Sequence, residues 1–514
     1  MTGKRRQRAS IEALPAKKQK EDRRSAGDEN GTSQKYRISL PKGGRVPSKT
    51  QKLEMSPTIE KFCGKFKKPE DSIHWIISNS KMTVDEFFKT KWQKSPFAMH
   101  ADEESKDLAE IFSYNYLAEL ISSRGIELEP GLDFTTGKHT DKESQGERIH
   151  QCLTKENLDK ALAQGDTVQI MEPHRFQPGL HALMSPLETY FGSLVFSSGY
   201  VSPPGGQLRG PHFIDEECFV IQTSGVSTWK IYKNKEVLST SYSSDFKLDE
   251  VGEPILTETL RPGDILYMPR GTVNECVAGD NLSCYITIRT FQRIYWANYL
   301  SETLPQLIDS HERKSVELRR GLPLGFLPHA RIDNNLYADY LLKLADSIRG
   351  DSDPVPVPEG MVSEFMSFRM PPFGLEIDTQ TETAPTENSK IQLRHKGHFT
   401  YYKRSSQGYH ADEGADEEGN EEPEKEIDID EFELVLLCSV KNDISSHGIV
   451  ELEPMTDDAF AIDTAYEPLI KKLLEADAPI AVSELKGINK DGKPLNALML
   501  AQGLFNIGAI EVVE

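Results

Sequence analysis

The sequence predicts an α+β fold in which an antiparallel β-barrel or sandwich is enclosed by helices, and three observations lead there. Between about Phe191 and Phe291 the apolar period is two, as in Phe219-Val220-Ile221-Gln222, Trp229-Lys230-Ile231-Tyr232 and Cys284-Tyr285-Ile286-Thr287-Ile288. Turn signals such as Pro203-Pro204-Gly205-Gly206 and Arg261-Pro262-Gly263-Asp264 separate these runs, the pattern of short strands joined by tight turns. On either side the apolar spacing becomes helical.

Upstream, Thr83 and Glu86 form a capping box ahead of Phe87 and Phe88, Tyr116, Leu117, Leu120 and Ile121 share one helical face, and Thr154 to Ala163 reads as a capped helix. These pack around the β-rich segment, giving one domain over 56–295. Tyr299, Leu300, Leu304, Leu307 and Ile308, then Leu336 to Ile348, define a helical block over 296–352. Such a hairpin either covers the barrel or pairs with its own copy. A Pro-rich linker is expected over 353–375. The last region, 376–514, has a strand-like Phe432 to Leu437, helices around Ala465–Leu474 and Leu495–Leu504, and a terminal strand, the order of a winged-helix-like domain.

The net charge of −21 is uneven. An acidic insertion over 411–433 carries 13 acidic residues against Lys425 alone and reads as a solvated segment or a lure for basic tails. This balance argues against direct nucleic-acid binding and favours basic protein partners such as histone tails or ribosomal proteins. The arm over 1–55 is basic and lacks apolar periodicity; Lys4-Arg5-Arg6-Gln7-Arg8 and Lys17-Lys18-Gln19-Lys20 look like a bipartite nuclear import signal, so a nuclear or nucleolar location is expected. Six scattered cysteines without a C-x-x-C pair read as reduced thiols, and no apolar run approaches the roughly 18 residues of a membrane span.

Chemistry concentrates in two half-motifs. Gly263-x5-Pro269-Arg270-Gly271-Thr272-Val273-Asn274 matches the second cupin motif up to its final histidine, and Gly206-x5-His212-Phe213-Ile214 matches the first up to its final acid. Residues i and i+2 of a strand share a face, so positions 212 and 214 look into the barrel, with 274 opposite. His, Asp and His there would make the facial triad of a non-haem Fe(II) oxygenase; this chain has His212, Ile214 and Asn274.

These motifs, with Phe191-Gly192-Ser193-Leu194-Val195, Ser202-Pro203-Pro204-Gly205-Gly206-Gln207 and Asp264-Ile265-Leu266-Tyr267-Met268, resemble the ribosomal oxygenases, JmjC proteins that hydroxylate ribosomal-protein histidines, with histone lysine demethylation attributed to some. The likeness spans roughly residues 60 to 514. It implies a JmjC/cupin double-stranded β-helix with flanking helices, a helical block and a winged-helix-like end. It also implies Fe(II) and 2-oxoglutarate as cofactors. The family's first metal histidine falls on His212, its aspartate on Ile214 and its second histidine on Asn274. Its 2-oxoglutarate lysine falls on Ser227, two residues before Trp229. Isoleucine offers no lone pair and asparagine only a neutral oxygen, so iron binding is in doubt.

Two substitutes for the lost aspartate are Glu216, on the strand face of His212, and Asp215, if a bulge turned it inward. Without either, His212 reads as a hydrogen-bonded core histidine. His395 and His398, in a polar basic loop, are expected to face solvent. The expectations for function are a 2-oxoglutarate-dependent protein hydroxylase or demethylase with catalysis weakened or lost, a non-catalytic JmjC module in nucleolar or chromatin assemblies, and, against the charge balance, a nucleic-acid regulator using the arm and the winged end.

Overall fold

The computed structural model describes residues 55–513 apart from 104–106, 125, 140–148, 325–331, 353–354, 356, 376, 378–381, 406–431 and 449–458. The basic arm and nearly all of the acidic insertion thus lie outside the described residues.

Ten strands build the first domain: β1 (Phe97–Met99), β2 (Phe134–Gly137), β3 (Thr167–Met171), β4 (Val195–Ser202), β5 (Glu217–Ser224), β6 (Ser227–Ile231), β7 (Leu256–Leu260), β8 (Ile265–Met268), β9 (Asn274–Ala278) and β10 (Ser283–Thr290). They form a seven-stranded sheet in the order β1-β8-β5-β10-β4-β3-β2, facing a three-stranded sheet in the order β7-β6-β9. The pairings within both sheets are antiparallel.

The period of two decides what fills each face. Phe219, Ile221, Ile286 and Ile288 point outward into the core formed with the helices, where Phe87, Phe112, Leu183 and Leu187 meet them. Their alternates Cys218, Val220 and Tyr285 point inward and pack with Trp229, Ile231, Leu266 and Met268. Two large apolar clusters back to back are therefore written into a single alternating strand pair.

The helices begin where side chains can satisfy their free N–H groups. Thr83 and Glu86 cap Val84–Thr90 reciprocally, Ser113 caps Tyr114–Ser122, and Thr154 caps Lys155–Ala163. The helix Pro178–Phe191 lies beneath the larger sheet with Leu180, Leu183, Met184 and Leu187 fully buried. Helices Trp296–Glu312 and Asn334–Arg349 form the hairpin expected downstream, joined by a bond of 2.8 Å between His311 Nδ1 and Ser347 Oγ.

The stretch read as a linker over 353–375 carries a helix, Glu359–Phe368, whose Met366 packs on Val435 and Leu437. Proline-rich flanks had masked its apolar spacing. Beyond it lie β11 (Lys390–Leu393), β12 (Phe399–Ser405), β13 (Phe432–Cys438), β14 (Ala459–Asp463), β15 (Ile480–Ala481) and β16 (Ile510–Val513). The small sheet β15-β11-β16 with helices Glu467–Glu475 and Ala497–Asn506 matches the winged-helix order, and a second sheet, β12-β13-β14, joins its core.

His395 and His398 do not both face solvent. His398 is 1% exposed, shares a bond of 2.9 Å with Ser439 Oγ and touches the Arg369 guanidinium, while His395 is half-buried. Arg369, itself buried, donates to the Gly397 carbonyl and to Thr189 Oγ1, both at 2.5 Å, tying the C-terminal sheets to the helix Pro178–Phe191.

Candidate functional site

His212 and Asn274 stand directly opposite each other at one edge of the smaller sheet. Their backbones exchange both hydrogen bonds, 3.0 Å from His212 N to Asn274 O and 2.9 Å in return. The fold therefore brings together the two motif ends, as the spacing predicts. Gly271 makes this possible: its φ is 80°, and a Cβ there would lie 2.5 Å from the Glu236 carbonyl oxygen.

The side chains differ in what they offer. A carbonyl can only accept, so His212 Nδ1 donates to Gly210 O, 2.9 Å away, and its Nε2 keeps a lone pair. Burial, reinforced by Arg209, lowers its pKa to about 4, so the ring is neutral. That is the tautomer and charge state of a metal ligand. Asn274 Nδ2 instead donates to the carbonyls of Thr272 and His212 at 2.9 and 3.3 Å, folding its amide onto its own backbone. Ile214 packs against the apolar cluster inside the barrel.

The acidic run that follows is distributed among three partners. Asp215 accepts from Gln292 Nε2 at 3.3 Å, Glu216 from Arg289 Nη1 at 2.9 Å, and Glu217 from the Tyr267 hydroxyl at 2.5 Å. The two candidate substitutes for the aspartate are thus engaged elsewhere. Arg289 also donates from Nη2 to Glu172 Oε1 at 3.2 Å, so one guanidinium sits between two carboxylates. Burial opposes its charge, yet Glu216 and Glu172 outweigh that and hold it above the ordinary arginine range. Burial raises both carboxylates from their usual range while Arg289 pulls them back. Ser227 is fully buried, its Oγ 2.8 Å from Ser283 Oγ, which in turn accepts from Gln222 Nε2, and among the described residues no cationic side chain is bonded to it.

Sequence reasoning missed Arg289 and Glu172. The signal for the first was available: Tyr285, Thr287 and Arg289 share the inward phase of β10, and an inward charge demands a partner. Glu172 carried no such signal, because its role depends on strand neighbours distant in sequence. A cavity of about 300 Å³ lies away from the motifs, lined by Ser56, Glu110, Tyr116, Glu119, Arg124 and Gln177.

A double-stranded β-helix with His212 at the first motif position defines a JmjC-type barrel, and the JmjC domain family model matches residues 169–299. Ribosomal oxygenase 2 of Bos taurus is 31% identical over 330 residues, covering 61% of this chain and 69% of that protein. The Rattus norvegicus ribosomal oxygenase 2 is 28% identical over 457 residues, 86% and 92% of the two chains. The bifunctional lysine-specific demethylase and histidyl-hydroxylase NO66 of Drosophila willistoni is 30% identical over 267 residues, but only 34% of that protein is covered. Among solved structures, Escherichia coli YcfD, a ribosomal oxygenase in complex with cobalt and 2-oxoglutarate, aligns over 84% of this chain and 99% of its own at 16% identity and a TM-score of 0.41. The chain belongs to the ribosomal oxygenase family of JmjC proteins.

The donor set does not fit the iron and 2-oxoglutarate that this family implies. It offers one imidazole, one amide committed to backbone carbonyls and an isoleucine, where a dication needs a carboxylate and a second imidazole. The 2-oxoglutarate position offers a hydroxyl in a neutral network rather than an ammonium.

Proposed function

We propose that this chain is a ribosomal-oxygenase relative whose barrel serves protein recognition, with its iron- and 2-oxoglutarate-dependent chemistry weakened or lost. The observation that carries this reading is the Glu216–Arg289–Glu172 triad inside the barrel, beside a motif that retains His212 but neither of its charged or imidazole companions. A guanidinium fixed between two carboxylates balances their buried charge, and it engages the Glu216 carboxylate that could have replaced the aspartate.

The partners proposed are basic proteins, ribosomal proteins or histone tails, in nucleolar or chromatin assemblies, received by a chain of net charge −21. The basic clusters of the arm are the proposed import signal. The helical hairpin is the proposed self-association surface, since Trp296 is 77% exposed and Leu300, Ile308, Tyr337, Leu341 and Leu342 are exposed beside it.

One observation favours a second reading, an oxygenase with an altered site: the His212 tautomer presents Nε2 as a ligand would. Fluorescence anisotropy with an Arg- and Lys-rich ribosomal-protein peptide separates the two. The recognition reading expects equal affinity with and without added Fe(II) and 2-oxoglutarate, and no succinate release in their presence. Binding that requires metal and 2-oxoglutarate, with succinate released, would replace it by the second reading.

A further inference from the structure

We propose that Glu172, His174 and His447 form a buried site for one divalent cation of the zinc class, which fastens the C-terminal sheets to the barrel. One potential ligand atom from each residue lies within 4.8 Å of the other two, and His447 comes from a part of the chain remote from Glu172 and His174. Glu172 follows β3, His174 sits in the short turn Pro173–Arg175, and His447 enters after β13.

Both rings are oriented from behind. His447 Nε2 lies 2.9 Å from Glu188 Oε1, a carboxylate that also accepts the N–H groups of Val195 and Met370, so Nε2 carries a proton and Nδ1 is the nitrogen turned toward the other ring. His174 Nδ1 lies 2.7 Å from Ser197 Oγ and 3.5 Å from Glu172 Oε2. The remaining nitrogens, His174 Nε2 and His447 Nδ1, face each other at 2.8 Å. Outer hydrogen bonds that fix the far nitrogen and turn the near one toward a common point are the usual support of metal-bound histidines.

Electrostatics calls for a cation at that point. The rings are 1% and 3% exposed, and Glu188 is wholly buried, accepting N–H groups from Val195, Met370 and His447. Glu172 and Glu216 share the single guanidinium of Arg289, and Arg175 is paired with Asp133 at 2.5 Å. A divalent cation between the two rings and Glu172 would offset buried carboxylate charge, which is costly to leave unpaired in a dry interior. Two imidazoles and a carboxylate suit zinc, with a fourth position open to water.

The backbone is shaped for the approach. Glu172 holds φ at 48°, in the left-handed region, which turns its carboxylate back toward Ser197 N at 2.8 Å. Gly448, at φ 77°, lets the His447 segment close on it, since a Cβ there would lie 2.8 Å from Glu172 Cγ. Zinc–nitrogen bonds of about 2.0–2.1 Å at a tetrahedral angle set two ring nitrogens about 3.3 Å apart, so loading parts the rings by about half an ångström.

The test uses the full chain, purified without metal-affinity resin. Elemental analysis after gel filtration should find about one equivalent of zinc-class metal, retained in His212→Ala and lost in His447→Gln. That pair separates this site from the barrel motif and from the proposed loss of iron there. Cobalt(II) added to chelator-stripped wild-type protein should give the visible absorption of a tetrahedral nitrogen and oxygen site, which needs no variant. A folded, metal-free wild-type protein that yields no such band, with nitrogen NMR of the histidines showing a proton shared between His174 and His447, would overturn the proposal. So would equal metal content in wild type and His447→Gln.

Discussion

Arg289 on β10 and Glu216 at the head of β5 meet inside the barrel at 2.9 Å, and Glu172 closes on the other side of the same guanidinium at 3.2 Å. Removing the cation leaves two buried carboxylates facing each other. Arg289→Ala is expected to lower the unfolding free energy by about 3–5 kcal/mol, the range for breaking a buried ion pair from one side. Urea denaturation followed by circular dichroism measures it.

The motif glycines and prolines were legible because they answer local demands. Gly263 and Gly271 adopt φ of 105° and 80°, which no other residue takes without strain, so they mark the turns whatever lies around them. Capping residues Thr83, Ser113 and Thr154 are equally local. The inward face of the barrel was legible from period two, and with it the pairing of His212 and Asn274. What could not be read is what long-range packing decides. Arg394-His395-Lys396-Gly397-His398 looks solvent-facing, but docking of the C-terminal sheets against the helix Pro178–Phe191 buries His398 beside Arg369. The sheet β12-β13-β14 was only one-third visible, through Phe432 to Leu437, because its other strands interleave polar and aromatic residues.

Glu217 gives a pH signature. Burial pushes its carboxyl up to about 7, against an unfolded value of about 4.3. Between those values the unfolded chain loses the proton while the folded one keeps it. Stability therefore falls as pH rises through this window and is unaffected by this group below it. Glu217→Gln should flatten the thermal stability profile between about pH 4.5 and 7. An unchanged slope in the variant would show that other groups set it.

The hairpin Trp296–Glu312 and Asn334–Arg349 carries exposed apolar side chains on both helices. Light scattering on a gel-filtration column should give twice the chain mass of 57.8 kDa for the wild type. Trp296→Glu with Leu341→Glu should give the single-chain mass with unchanged helical content. A monomeric wild type would refute the self-association surface.

Restoring the missing donors tests the reading of the barrel itself. His212 already presents Nε2, and Asn274 pairs directly opposite it. The most direct measurement is anaerobic optical titration with Fe(II) and 2-oxoglutarate, which form a visible charge-transfer chelate only when both occupy one site. It is run on the wild type, on Ile214→Asp/Asn274→His, and on that variant with Ser227→Lys. The account predicts no chelate band in the wild type, a band in the double variant and a tighter one with the lysine. A band of full intensity in the wild type at micromolar ligand would contradict it and show that another side chain completes the site.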